Sequence, residues 1–153
     1  MHSEFEYHFY NRFNAAQLVP LIAIDQQYFP YPWARSSWEE LVNSVGEYCL
    51  GILQLDGKMI GFSLYLLSSH ESLAHLLKIC ILPEARGRGL AQKLLTHDRA
   101  QLVAASFERG YLEVAEHNLS AISTYIRCGY HQIHRQRNYY SDGSDALIME
   151  LTF

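Results

Sequence analysis

The sequence predicts an α/β fold, a single domain with one mixed sheet and helices packed on it, and three observations carry that expectation. Two β-rich runs, Tyr48 to Leu55 and Met59 to Leu67, are separated by "DGK", whose Asp-Gly pair suits the left-handed backbone of a tight hairpin. From Leu73 onward, β-type and helical periodicities alternate as strand, helix, strand, helix, the pattern of an α/β unit. At 153 residues, 49% of them hydrophobic, the chain closes one core without metals or disulfides.

Taken in order, Phe5 to Tyr10 alternate as a short strand, and Ala15 to Tyr28 carry Leu18, Leu21, Ile22 and Ile24 at helical spacing. "YFPYPW" stops that helix, because Pro30 and Pro32 push the residues before them into extended geometry. Ser36 or Ser37, with Glu39 or Glu40 three residues on, predicts a capping box opening a short helix toward Val45. After the hairpin, Leu73 to Leu82 reads as an apolar strand. Ala91, Leu94, Leu95, Leu102 and Ala105 then predict a long helix ended by Gly110, with His97 and Asp98 breaking its periodicity. Tyr111 to Ala115 is a short strand; Asn118 caps a helix whose buried stripe includes Leu119, Ile122 and Ile126, and Gly129 stops it. The tail gives two strands around "SDGSD", and no repeat, low-complexity tract or linker interrupts the chain.

The formal net charge of −4 argues against a nucleic-acid binder working by bulk electrostatics, and an acidic surface favours a cationic peptide or amine. Cys49, Cys80 and Cys128 lack metal-ligand spacing and are expected as reduced core thiols. The histidines, His75, His117 and His134 among them, show no metal spacing either, so no metal is expected, and His117, near the site by sequence, reads as a surface histidine or as an aid to proton transfer. "MHSEFEYHFYNRF" has neither the basic start nor the apolar block of a signal peptide, and no segment is long enough to span a bilayer. A soluble, cytoplasmic protein without membrane contact is the expectation.

The most distinctive stretch is "LPEARGRGLAQKLL", Leu82 to Leu95, which leaves a strand, concentrates positive charge and enters a helix. A helix start exposes backbone N–H groups, glycines let a phosphate approach the backbone, and arginines add charge-assisted bonds. Arg86, Gly87, Arg88, Gly89, Leu90 and Ala91 therefore read as a pyrophosphate cradle. The stretch is neither a P-loop, lacking a Lys-Ser/Thr pair, nor a G-x-G-x-x-G fingerprint. "RGRGLA" instead resembles the Q/R-x-x-G-x-G/A loop with which GNAT acetyltransferases hold the pyrophosphate of acetyl-coenzyme A. The resemblance runs over essentially the whole chain. Within that superfamily "YPWARSSWEEL", "ILPEARGRGLAQKLL", "LEV" with "AISTYIRCGY", and "RNYYSDGSDALIMEL" together resemble RimI-type N-terminal acetyltransferases.

The resemblance implies a central, mostly antiparallel sheet with helices on both faces, acetyl-coenzyme A as cosubstrate, and direct attack by an amine in a ternary complex. It implies a peptide N-terminus as acceptor, the N-terminal alanine of a small-subunit ribosomal protein. Glu113 matches the general base and Tyr125 the acid that protonates the leaving thiolate; taken as residues alone, they equally suit a strand-edge carboxylate and a packed tyrosine. Ile79 to Ile81 would offer backbone groups to pantetheine, and Asn118 would contact the same arm, although an N-cap alone explains it. Tyr139 and Tyr140 resemble the paired tyrosines that flank the peptide mouth, while Tyr31, Pro32 and Trp33 either shape the opposite wall or pack the helix junction. One departure stands out: Ala115 occupies the position where such sequences commonly carry arginine after "LEV". Acetylation of a lysine side chain or a small amine, and a noncatalytic acyl-coenzyme A sensor, are the competing readings.

Overall fold

The "DGK" turn forms as the alternation requires: Asp56 and Gly57 take left-handed backbone, with φ of 51° and 80°, which matches the twist of the strands they join. The computed structural model describes residues 4–153; residues 1–3, the start of the N-terminal stretch read above, lie outside the described residues. Seven strands form one sheet: β1 (Phe5–Tyr10), β2 (Tyr48–Leu55), β3 (Lys58–Ser68), β4 (Leu73–Ile81), β5 (Arg109–Ala115), β6 (His131–Gln136) and β7 (Ala146–Thr152). Their order is β1-β2-β3-β4-β5-β7-β6, and every neighbouring pair is antiparallel except β4 with β5.

Helices α1 (Ala15–Tyr28) and α2 (Arg35–Asn43) cover one face, where Leu18, Leu21, Trp38 and Leu41 pack on Leu50, Phe62 and Leu64. Helices α3 (Leu90–Ala104) and α4 (Leu119–Arg127) cover the other, where Leu95, Leu102 and Tyr125 meet Tyr65, Leu76, Leu112 and Met149. The expected sheet with helices on both faces is what forms. Each fully buried leucine on these faces contributes roughly 1.5–3 kcal/mol of transfer free energy.

Two irregularities of β4 shape everything that follows. It pairs with β5 only from Leu73 to Leu76, against Arg109 to Leu112, after which the strands part. At the same point its register with β3 slips: Leu64 faces Lys78 while Tyr65 faces Leu76, leaving Leu77 as a bulge. A gap thus opens between Leu77–Ile81 and the end of β5.

Four expectations need correction. Neither Ser36 nor Ser37 caps α2: extended backbone after the prolines persists to Ala34, the N-cap residue, no side chain caps the helix, and it ends at Asn43. α3 ends before Gly110, because Ser106 takes the left-handed turn with φ 70°. Gly110 instead lies in β5, where an added Cβ would sit 2.5 Å from Tyr130 Oη. On α4, Leu119 and Ile126 are 73% and 58% exposed, and the buried stripe runs through Tyr125 with Ala121 and Ile122 packed beside it. Asp98 breaks the periodicity of α3 for a reason: it is fully buried, accepting O–H bonds from Tyr7, Ser63 and Tyr65 at 2.7, 2.6 and 2.8 Å.

Candidate active site

The parting of β4 from β5 leaves one backbone edge of Ile79 and Ile81 free of β5, while their other edge stays paired with Ser63 and Gly61 of β3. A cleft of about 570 Å³ runs from this edge to the start of α3 and across to α4. Gly87 and Gly89 lie on its wall with φ of 80° and 69°, a backbone that residues with a Cβ adopt only under strain. No atom lies within 4 Å of where a Cβ would stand on either glycine, so the loop presents open backbone to whatever lies in the cleft. Gly89 is the N-cap of α3 and no side chain caps that helix, which leaves its first N–H groups free to receive an anion. This is the chemistry a pyrophosphate requires, and Leu90 and Ala91 complete the turn.

Arg86 also lines the cleft; its Nε donates to the Ile81 carbonyl at 2.8 Å, which holds the guanidinium along the wall. Arg88, the second arginine of the motif, is exposed and is not part of the lining. Across the cleft, the Asn118 side chain accepts the Ala121 N–H at 3.3 Å and so caps α4 while lining the cavity, which makes the two readings of this residue compatible. Tyr125 reaches the same wall from two turns beyond Asn118 along α4, 8% exposed and edge-on to Tyr130. Burial, then the neighbouring Tyr140, holds its phenol above the usual tyrosine range, so it stays protonated. Cys80 lines the cleft as a free thiol that burial pushes up, against the opposing pull of Arg86, and a thiol held protonated is a poor nucleophile.

A second cavity, about 540 Å³, lies at the sheet face formed by β5, β6 and β7, with Glu113, Tyr111, Ile133, Tyr139 and Ile148 in its lining. The alternation of β5 explains Glu113: Gly110, Leu112 and Val114 are buried, which turns Tyr111 and Glu113 to the half-open face. His75 of β4 lies directly opposite Tyr111 in the parallel register, so its ring reaches the carboxylate two residues further on. His75 Nε2 is 2.6 Å from Glu113 Oε2, with side chains 24% and 19% exposed, and the His75 ring is edge-on to Tyr111. His75 is thus no free surface histidine. The contact joins residues 38 apart in sequence, and only the strand pairing could have revealed it. His117, by contrast, is 65% exposed.

The expected tyrosines pack on one another, and of Tyr31, Tyr139 and Tyr140 it is Tyr139 that lines the second cavity. Tyr139 and Tyr140 lie in the turn between β6 and β7, where both backbone N–H groups donate to the Ser144 carbonyl at 3.1 Å. Tyr140 stacks on Tyr31 with ring centres 5.6 Å apart and planes 12° apart, while Tyr139 stands edge-on to Tyr140. The Tyr140 phenol is pushed up to about 12, first by burial and then by Tyr139 and Glu113. Trp33 faces elsewhere: its ring packs on Trp38 at 5.2 Å, its N–H donates to Asp25, and it lines neither cavity. Of the two readings of Tyr31 and Trp33, packing holds for the tryptophan; Tyr31 lines neither cavity and meets Tyr140 by stacking. Among the described residues, no helix is long and apolar enough to cross a membrane, and no group of three His, Cys, Asp or Glu side chains is placed to hold a metal ion.

Residues 18–130 match the acetyltransferase (GNAT) family. A [ribosomal protein bS18]-alanine N-acetyltransferase of Haemophilus ducreyi is 32% identical over 136 residues, covering 86% of this chain and 90% of its own length. The crystal structure of the ribosomal-protein-S18-alanine N-acetyltransferase from Escherichia coli superposes with a TM-score of 0.83 at 27% identity, covering 96% of this chain and 94% of that one. Arabidopsis thaliana NAA60 in complex with acetyl-CoA shares the fold, with a TM-score of 0.80 at 20% identity over 97% of this chain and 99% of its own. An open glycine loop at a helix start, beside a parted strand pair, is thus set in a chain that belongs to the GNAT acetyltransferase family and is an acetyl-CoA-dependent N-acetyltransferase.

Proposed function

We propose that the chain works as one catalytic domain that acetylates the α-amine of protein N-termini, with the N-terminal alanine of a small-subunit ribosomal protein as its first candidate substrate. The observation that carries this reading is the groove lined by Glu113 and Tyr139, with His75 bonded to that carboxylate and the stacked Tyr140 and Tyr31 packed beside Tyr139. The Haemophilus ducreyi relative, named for action on an alanine of ribosomal protein bS18, supports the choice of substrate. A cytoplasmic setting follows from that substrate.

An α-amine titrates at about 7.7–8.0 and a lysine at about 10.4, so a carboxylate base with a modest proton affinity serves the α-amine far better. In the proposed route Glu113 takes a proton from the acceptor ammonium, directly or through one water. His75, donating its ring N–H to the ionised carboxylate, orients Glu113 and offers the proton a way out of the groove. Acetyl-coenzyme A supplies the acetyl group as a thioester whose carbonyl carbon the freed amine attacks. Gly87, Gly89 and the first N–H groups of α3 hold the pyrophosphate, with Arg86 beside them. Asn118 and the free edge of Ile79 and Ile81 align the pantetheine arm. As the C–S bond breaks, Tyr125 gives its phenolic proton to the sulfur, a role that its burial suits by keeping it protonated.

A thiol-release assay tests this reading. A peptide copying a ribosomal protein's N-terminus is compared with the same peptide blocked at its α-amine and with a small polyamine. Release on the free peptide alone is expected; equal release on the blocked peptide moves the target to lysine, and release only with the polyamine overturns the peptide reading.

A further inference from the structure

Lys78 is a lysine in the core, 5% exposed, and strand alternation alone would not place it where it is. Ala74 and Leu76 of β4 point into the cluster beneath α3 and α4, and a regular strand would send Lys78 to that same face. The bulge at Leu77 reverses the parity, and Lys78 emerges beneath α1 and α2 instead. There its Nζ lies 2.6 Å from Oδ1 of Asp25, which is fully buried on α1. Oδ2 of the same carboxylate accepts the Trp33 backbone N–H and the Trp38 indole N–H, both at 2.8 Å. The ammonium also sits 4.6 Å from the ring centre of Phe29 and 5.2 Å from that of Trp33.

Phe29 and Trp33 bracket the "FPYPW" turn that carries Tyr31. One buried cation therefore grips both ends of the turn whose Tyr31 stacks on Tyr140, and its carboxylate partner ties that turn to α1 and α2. The same residue immediately precedes Ile79, in the part of β4 that has lost β5 as a neighbour. A buried ion pair is a poor way to gain stability, since an apolar pair of similar volume does as well or better. Its use here is geometric.

We propose that Lys78 is a positioning residue for the acceptor: paired with Asp25, it pins the Phe29–Trp33 turn to β4 and so sets Tyr31 against Tyr140, beside the groove-lining Tyr139. The part that concerns the acceptor rests on the function proposed above; the part that concerns the turn does not.

Removing one charge strands the other in the core, so the informative variant is the double substitution Asp25→Asn with Lys78→Met, beside Lys78→Met alone. Two readouts are taken on the full chain: hydrogen exchange across residues 28–33 and 85–91, and steady-state kinetics with whichever acceptor the wild type uses. In the double variant, exchange at residues 28–33 is expected to quicken tenfold or more while residues 85–91 are unchanged. The KM for acceptor should rise at least tenfold, and by a larger factor than the Kd for acetyl-coenzyme A, whose cleft Phe29 and Pro30 also line, with kcat within about twofold of wild type. Unchanged exchange at residues 28–33 in a folded double variant overturns the pin, even if no peptide serves as substrate. Faster exchange with an unchanged acceptor KM overturns the positioning role and leaves the function proposed above standing.

Discussion

At the scale of single residues, the proposed route rests on Glu113 and on the contact that His75 of the neighbouring strand makes with it. General bases contribute about 10²–10⁴-fold, so Glu113→Gln is expected to lower kcat by a hundredfold or more while the Kd for acetyl-coenzyme A, read by calorimetry, stays unchanged. His75→Phe keeps the ring against Tyr111 and removes the bond to the carboxylate; a fall in kcat of about tenfold is expected, with thermal stability retained. Unaltered turnover in either variant contradicts its assignment. The candidate roles of Glu113 and Tyr125 came from the resemblance carried by "LEV" and "AISTYIRCGY", and the open left-handed backbone of Gly87 and Gly89 was legible in "RGRGLA". His75 was not, because nothing in local spacing reveals a partner on a parallel strand. Lys78 was hidden for a related reason: its face depends on a one-residue slip against β3 that the apolar run from Leu73 to Leu82 does not betray.

At the scale of elements, the loop between β4 and α3 is the proposed seat of cofactor binding, and its two left-handed glycines can be tested apart from folding. Gly87→Ala with Gly89→Ala adds methyl groups on open backbone, at a conformational cost of roughly 1–2 kcal/mol each, and narrows the approach of the pyrophosphate. The Kd for acetyl-coenzyme A is expected to rise tenfold or more, by equilibrium titration, with residual kcat at saturation; unchanged affinity would contradict the cradle. Most elements were readable because runs of helix-type or β-type residues stop at plain turn signals, as α1 does before Pro30 and the hairpin does at Asp56 and Gly57. The misread ones were those in which tertiary contact overrides local pattern. α4 buries Tyr125 and leaves Leu119 and Ile126 exposed, and Gly110 serves a close approach by Tyr130, so it marks no helix end.

At the scale of the whole molecule, the sheet is one unit into which α3 is locked by a buried carboxylate. Burial lifts Asp98 from the usual 3.8 to about 6, even though Ser63, Tyr7 and Tyr65 all donate to it. Because the folded chain holds that proton more tightly than the unfolded chain, Asp98's contribution to stability falls as pH rises from 3.8 to about 6 and is level above. Denaturant unfolding of wild type and Asp98→Asn across this range should show the wild type losing on the order of 3 kcal/mol relative to the variant; parallel curves would contradict it. The strands and helices were legible in the sequence, but their order was not: β7 inserts between β5 and β6 by long-range pairing, and that placement builds the groove beside Glu113. The most direct measurement of the central claim is the position of the acetyl group after reaction with a peptide that carries both an N-terminal alanine and an internal lysine, mapped by fragmentation mass spectrometry. A single acetyl on the alanine nitrogen is the predicted result; an acetyl on the lysine Nζ, or none despite bound acetyl-coenzyme A, would contradict it.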